Sequence, residues 1–399
     1  MHVLRAALLG AAAALALEPH LPHPSDRVSY AGLSVSVRTS PRVCDAYAFG
    51  ARGDGVTDDT AALQAALTAC ASGGTALLDR NGTYLSYGLS LPAATSGFAL
   101  RIEGRLLFSN ATASPAWRGV GACLLLRGAG VALVGAGVVD GQGAAWWPCA
   151  KAGCARPGLV VAQGVTDLLI ANLTFVNSPN HQLELYATPF ELAYVTVLAP
   201  PSTGAGLLSH NTDGCDVHGN GAHIHDSHIS TGDDHIAFHA NDTLVERMTF
   251  GTGHGTSIGS LGEGTYLRNI TVRDSTFAAP TAALHIKADT HSSGFLRDVL
   301  FHNLSISNAG TTVLIESNYP AHGGQGVGTL AMSNISFVNI VSAGAATAGA
   351  LLCSRNAPCE GLRLVNVTHP SPGPQTLWTC AQAHGVALDV TPPLDCLLP

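Results

Sequence analysis

From about residue 165 onward one short pattern keeps returning: a β-branched stretch, one polar residue, then a brief alternation of hydrophobic and hydroxyl side chains. The copies read LLIANLTF, FELAYVTV, AHIHDSHI, LVERMTF, ITVRDSTF, VLFHNLSI, AMSNISF and LRLVNVTH. With the polar residue aligned at Asn172, Tyr194, Asp226, Arg247, Asp274, Asn303, Asn334 and Asn366, successive steps are 22, 32, 21, 27, 29, 31 and 32 residues. A period near 28 residues belongs to solenoids, in which each unit can bury its apolar side only against the next unit. The copies are rich in Val, Ile, Thr and Phe with period-two alternation and are bounded by Gly, Asn and Asp, so each unit consists of strands and turns rather than paired helices. The expected fold is therefore all-β, a right-handed parallel β-helix. A β-sandwich would require strands every 8 to 12 residues joined by hairpin turns, which this spacing does not offer.

A solenoid needs its open ends covered. Ahead of the repeats, Asp58-Asp59-Thr60-Ala61-Ala62-Leu63-Gln64-Ala65-Ala66-Leu67 has helical apolar spacing behind candidate capping residues, which predicts a short N-terminal capping helix near residues 58 to 71. At the far end, Pro370-Ser371-Pro372-Gly373-Pro374 breaks the repeat. No linker separates a second globular unit, so the expected organisation is a signal peptide at 1–17, an N-terminal extension at 18–43 and one β-helix domain at 44–399. The signal peptide is read from Arg5, the apolar run Ala6 to Leu15 and the small-residue exit around Ala14-Leu15-Ala16. An N-terminal anchor is the rival reading, but the run is shorter than the roughly 18 residues needed to span a bilayer.

Other features agree with export. Eight Asn-x-Ser/Thr sequons occur, at Asn81, Asn110, Asn172, Asn241, Asn269, Asn303, Asn334 and Asn366. Ten cysteines include the close pairs Cys149/Cys154, Cys353/Cys359 and Cys380/Cys396, which suggest short-loop disulfides, with Cys44/Cys70 a possible fourth. Cys123 and Cys215 have no obvious local partner and read as small buried hydrophobes. The formal net charge is -8 and no Lys/Arg cluster is present, so neither nucleic acid nor a membrane is an expected partner. Eighteen histidines shift that balance below about pH 6.5. His223, His225 and His228 are read as lying on one strand face, as surface or stacked side chains rather than metal ligands. No cofactor is expected, and the protein is expected to be a monomer.

Three polar motifs stand out in a chain of which only 12% is charged: Asn211-Thr212-Asp213-Gly214, Gly232-Asp233-Asp234 and Gly253-His254-Gly255. Stacked coils lie about 4.8 Å apart, so residues one period apart become neighbours on one face. Asp213, Asp233, Asp234 and His254 should thus form one cluster. Paired carboxylates are what acid/base cleavage of a glycosidic bond requires. His285, Lys287 and Tyr319 fall one and two coils further on, which adds positive charge and an aromatic hydroxyl.

These motifs, with Ser257 to Gly262 (SIGSLG) and His285-Ile286-Lys287, resemble glycoside hydrolase family 28, the polygalacturonase family. Gly53-Asp54-Gly55, Thr57-Asp58-Asp59-Thr60 and Asp140-Gly141-Gln142-Gly143 with Trp146-Trp147 look like its N-terminal signatures, and the resemblance covers roughly residues 45 to 396. It implies a secreted enzyme that hydrolyses α-1,4-galacturonosyl bonds of pectin with inversion, without metal or cofactor, on a uronic-acid polysaccharide partner. On this resemblance Asp233 is the general acid, Asp213 and Asp234 activate water, and His254 tunes the cluster. Asn211, His285, Lys287 and Tyr319 hold the substrate, with Lys287 facing a uronate carboxylate. Crowding of the three carboxylates should raise at least one pKa by like-charge repulsion, as a general acid needs.

Two departures from the family pattern are visible. His285 stands where the family has Arg, which replaces a permanent bidentate fork by an imidazole that is charged only at acidic pH. His235 stands where the family has Cys, so a family disulfide beside the site is not expected. The alternatives left open are a relative acting on a different or decorated uronic-acid polymer, and a non-catalytic carbohydrate-binding β-helix. A binder would not need Asp213, Asp233, Asp234 and His254 together. Trp146 and Trp147 read as packing residues rather than sugar platforms.

Overall fold

The computed structural model describes residues 42–202, 209–319, 327–370 and 377–399. The signal-peptide reading at 1–17 and nearly all of the 18–43 extension lie outside these residues, as does most of the Pro370–Pro374 break. Among the described residues no helix is long and apolar enough to cross a membrane.

Away from the two ends, strands pair in parallel with those one coil before and one coil after, as in Cys215–Val217 with Ile236–Phe238, then with Thr256–Leu261, Ala282–Asp289 and Thr311–Tyr319. The result is a right-handed parallel β-helix. A second ladder runs through Phe190–Ala193, Ala222–His225 and Thr243–Glu246, and a third through Thr196–Leu198, His228–Ser230 and Thr249–Phe250. Each coil thus has three strand segments, and its apolar residues point inward. Phe175, Phe238, Phe250, Phe277, Phe301 and Phe337 are fully buried; Phe301 stacks on Phe337 of the next coil at 5.2 Å between ring centroids, and Phe250 meets Phe277 at 4.6 Å with the rings tilted. Burial of each such ring stabilises the fold by about 2 to 3 kcal/mol relative to exposure.

The polar residue of the repeat has a defined backbone role: it is the corner between the second and third segments. Asn172, Tyr194, Asp226, Arg247, Asp274, Asn303 and Asn366 all have φ between 49° and 61°, the left-handed region in which Asn and Asp are the best tolerated non-glycine residues. The copy AMSNISFVNI corrects the sequence alignment. Register places Asn339, not Asn334, level with Asn303 and Asn366, while Asn334 aligns with Asp298 at the preceding corner. Both Asn residues are left-handed, at φ 52° and 54°, so the local pattern alone could not separate them. Side-chain amides tie the corners across coils: Asn303 Nδ2 donates to Asp274 Oδ1 at 2.6 Å, and Asn334 Nδ2 donates to Asp298 Oδ1 at 2.6 Å.

The N-terminal helix spans Thr60–Cys70 and buries Leu63, Ala66, Leu67 and Cys70 against the first coils. Asp58 Oδ1 accepts from the Thr60 amide, and Asp59 turns back to accept from the Arg52 and Gly53 amides. Cys44–Cys70 fastens the helix to the strand Val43–Asp45, and Cys149–Cys154, Cys353–Cys359 and Cys380–Cys396 are also bridged. Cys123 and Cys215 are free and buried. Trp146 and Trp147 are buried, and Trp146 packs edge-to-face on Trp117, as packing residues do.

Candidate active site

Asp213, Asp234 and His254 each sit two residues before a strand of the first ladder, and the paired registers Cys215, Ile236 and Thr256 make their positions equivalent on three successive coils. Backbone bonds fix this stack: the Gly214 amide donates to the Asp234 carbonyl, and the His254 amide donates to the Asp233 carbonyl, both at 2.8 Å. Asp233, next to Asp234 in the chain, turns its carboxylate the other way. Its Oδ1 faces His254 Nδ1 at 2.9 Å, and its Oδ2 accepts from the Asn211 amide at 3.1 Å.

Asp234 is 3% exposed; its Oδ2 accepts from Lys287 Nζ at 2.5 Å and its Oδ1 from Ser257 Oγ at 2.8 Å. Lys287 lies 5.5 Å from the Tyr319 ring centroid. The two residues are brought together by the register of Ala282–Asp289 on Thr311–Tyr319, in which Asp289 pairs with Tyr319. Six of the residues singled out in the sequence therefore meet: Asp213, Asp233, Asp234, His254, Lys287 and Tyr319.

The other two are engaged differently. Asn211, at φ 56°, offers its backbone amide to Asp233, while its side-chain oxygen accepts from Arg156 at 2.9 Å. His285 is buried beside Tyr319, edge-to-face, and its Nε2 lies 2.8 Å from Glu316 Oε2. The imidazole expected to face substrate is thus already held by a carboxylate of its own chain.

The electrostatics correct one expectation. Burial, and then the charges of Asp216 and Asp233, push Asp213 well above the ordinary carboxylate range. Burial also raises Asp234, against the pull of Lys287. For Asp233 burial is outweighed by the hydrogen bond and charge of His254, the Asn211 amide and Lys287, so this carboxyl is held below the ordinary range. The raised carboxyls are therefore not the residue to which the resemblance gives the acid role, and desolvation rather than like-charge repulsion is the main cause. His254 is raised by its bond to Asp233, which puts the proton of this pair on the imidazole.

Residues that sequence reasoning missed complete the surroundings. His181 Nδ1 lies 2.9 Å from Asp216 Oδ2 and 3.2 Å from Glu184 Oε1, and its Nε2 is 3.9 Å from Asp213 Oδ1. Burial works against its charge, but Asp216 and Glu184 outweigh it and push its pKa up to about 12. Arg156 donates to the Pro179 and His210 carbonyls and to Asn211. Neither stands in a motif. Glu184 and Asp216 are register partners 32 residues apart, so a period-matched search for carboxylates could have found them.

His235 fills the place of the absent family cysteine. It is fully buried against Phe250, its pKa is pushed down to about 4 by burial, and its Nε2 lies 3.0 Å from the Thr252 carbonyl, which supports the loop that carries His254.

A parallel solenoid with clustered carboxylates, an imidazole and a buried lysine offers the groups that glycoside hydrolysis requires, and the chain is a glycoside hydrolase. The family model for glycosyl hydrolases family 28 matches residues 82–389. The chain belongs to that family. It is 27% identical over 388 residues to a probable polygalacturonase of Arabidopsis thaliana, covering 91% of this chain and 82% of that one. To the polygalacturonase of Prunus persica it is 28% identical over 386 residues, covering 91% and 95%. Its fold superposes on the exopolygalacturonase of Thermotoga maritima with a TM-score of 0.71 at 18% identity, covering 88% of this chain and 89% of that one.

Proposed function

We propose that this chain is an inverting polygalacturonase that hydrolyses α-1,4-galacturonosyl bonds of pectin-type polysaccharide. The observation that carries the reading is the convergence of Asp213, Asp233, Asp234 and His254 from three coils in a family 28 chain. Inverting hydrolysis needs one carboxyl group to protonate the leaving oxygen and another to activate water on the opposite face of the sugar. Asp233 takes the first role. Its carboxyl shares a proton with His254 Nδ1, and when bound sugar excludes water the buried anion becomes costlier, which moves the proton onto Asp233 and from there to the glycosidic oxygen. Asp213 takes the second role with Asp234. Once ionised, a carboxylate of raised pKa is the stronger base, and Lys287 Nζ donates to Asp234 Oδ2 beside it, a pull toward the ionised form that opposes burial. Lys287 and Tyr319 border the position where a uronate carboxylate and ring would rest.

Replacing Asp233 by Asn tests these roles. Release of reducing ends from polygalacturonan should fall to background while circular dichroism stays as in the parent and unfolding remains cooperative. Retained hydrolysis would overturn the assignment.

The pairing of His285 with Glu316 favours a second reading, in which the polymer is a different or decorated uronan. Glu316 places an anionic oxygen where an arginine would otherwise greet uronate, so a sugar bearing hydroxyls rather than a carboxylate fits that side of the site better. A panel of plain and substituted uronans, assayed from pH 4 to 7, separates the two. Export to the cell wall or medium, with cleavage after the N-terminal apolar run and glycosylation at some of the eight sequons, accompanies either reading. N-terminal sequencing and glycosidase treatment of the secreted protein check it.

A further inference from the structure

A second cluster of imidazoles and carboxylates lies on the second ladder, away from the strands that carry the proposed catalytic residues. Glu191 stands on Phe190–Ala193, His223 and His225 on Ala222–His225, and Glu246 on Thr243–Glu246, so three consecutive coils contribute. The sequence expectation that His223, His225 and His228 share a face fails here. The left-handed corner at Asp226 puts His228 on the third ladder, and only His223 and His225 remain together, with ring centroids 4.1 Å apart.

His225 is 5% exposed and lies between two carboxylates: Nδ1 is 2.6 Å from Asp226 Oδ2, and Nε2 is 3.0 Å from Glu191 Oε1. Glu191 is also 5% exposed. With Asp226 at Nδ1, the ring turns Nε2 toward Glu191 Oε1, so both nitrogens of one buried imidazole are aimed at carboxylates. His223 adds a third donor: one ligand atom from each of Glu191, His223 and His225 can be chosen so that all lie within 4.8 Å of one another.

We propose that Glu191, His223 and His225 form a binding site for one divalent transition-metal ion, with zinc the best-fitting chemistry. Two imidazoles and one carboxylate, with a remaining position open to water, are a zinc donor set. Tetrahedral ligands about 2.0 to 2.2 Å from zinc stand roughly 3.4 Å from one another, so side-chain shifts of about an ångström close the site. The outer partners are of the kind that orient metal ligands. Asp226 fixes the His225 tautomer and is itself clasped by Arg247 through Nε at 2.8 Å and Nη2 at 2.7 Å. Glu246, 3.2 Å from His223 Nε2, is held by Arg247 and Arg273. The half-exposed edge of His223 gives the ion a way in. Bound there, the ion braces the coils of Glu191 and of His223 and His225, and bears on no step of the hydrolysis.

The test is calorimetric titration of the EDTA-stripped full chain with zinc chloride at pH 7, together with thermal unfolding. One zinc per chain should bind with Kd on the order of 1 μM or tighter and raise Tm. Glu191→Gln and His223→Ala should each weaken that event tenfold or more, and Asp226→Asn should weaken it by about tenfold through the outer partner. All three should unfold cooperatively without metal and retain hydrolysis. Asp213→Asn and His254→Asn, which alter the other two carboxylate-imidazole clusters, should leave the event intact. Absence of saturable one-to-one binding would overturn the proposal, as would binding that survives Glu191→Gln but is lost in Asp213→Asn or His254→Asn. Zinc that leaves Tm unchanged would overturn the bracing role.

Discussion

His254 Nδ1 lies 2.9 Å from Asp233 Oδ1, and this contact joins two residues whose strands pair but whose motifs stand 21 positions apart. It lowers the carboxyl and raises the imidazole, so the pair holds one proton over a wide pH interval.

The interval follows from the direction of each shift. Asp233 lies below its unfolded value near 3.8, so its contribution is present above that value and is lost as pH falls through the folded pKa. His254 lies above its unfolded value near 6.5, so its contribution is present below that value and is lost as pH rises through the folded pKa. Between about pH 4 and 6.5 the pair is intact, and kcat/KM should show its plateau there and fall at higher pH. His254→Gln should remove this alkaline limb and lower kcat about 10²- to 10³-fold. An unchanged pH-rate profile in that variant would refute the shared-proton account.

Lys287 and Asp234 form a buried ion pair, with side chains 9% and 4% exposed. Loss of the cation alone leaves an uncompensated buried charge, so Lys287→Met should cost about 3 to 5 kcal/mol in denaturant unfolding. Adding Asp234→Asn to it should recover much of that loss without recovering hydrolysis. A single variant that unfolds at the parent midpoint would contradict the burial argument.

Gly253 allows the close approach that places His254. A Cβ there would meet His235 Nε2 at 2.5 Å, at a φ of 154°. Gly253→Ala should therefore move the His254 loop, with kcat reduced more than KM is raised, and His235→Ala in the same chain should relieve part of the defect. A double-mutant cycle on kcat measures the coupling, and additive effects would show that the two residues do not meet.

Tyr194 occupies a corner at φ 55° that Asn fills in four other coils, at positions 172, 303, 339 and 366. A left-handed backbone costs a non-glycine residue roughly 1 to 2 kcal/mol, and Asn relieves part of it by local hydrogen bonding. Tyr194→Asn should stabilise the protein by up to about 1 kcal/mol, read as a rise in Tm, offset in part by loss of the edge contact with His225. A fall in Tm would show that this contact outweighs the backbone strain.

The repeat was legible because its polar residue answers a local demand. A corner that needs positive φ selects Asn and Asp wherever it occurs, and the β-branched run before it selects an inward-facing strand. Asn334 and Asn339 mark the edge of that legibility: both are corner residues, and only coil-to-coil register decides which one is level with Asn303. The cluster at Asp213, Asp233, Asp234 and His254 was legible for the same reason, since one coil of spacing becomes one step of the stack.

The sequence by itself determined the coil, its corners, its N-terminal helix and the set of groups available for acid/base chemistry, because each depends on period, backbone preference or motif over a few tens of residues. Tertiary structure alone decided which carboxyl is held ionised, that His285 turns to Glu316, that His181 and Arg156 join the site, and that Glu191, His223 and His225 converge elsewhere. Those outcomes depend on burial and on side-chain direction across coils. Desolvation and hydrogen bonding act over a few ångströms in space, and separation along the chain carries no record of them.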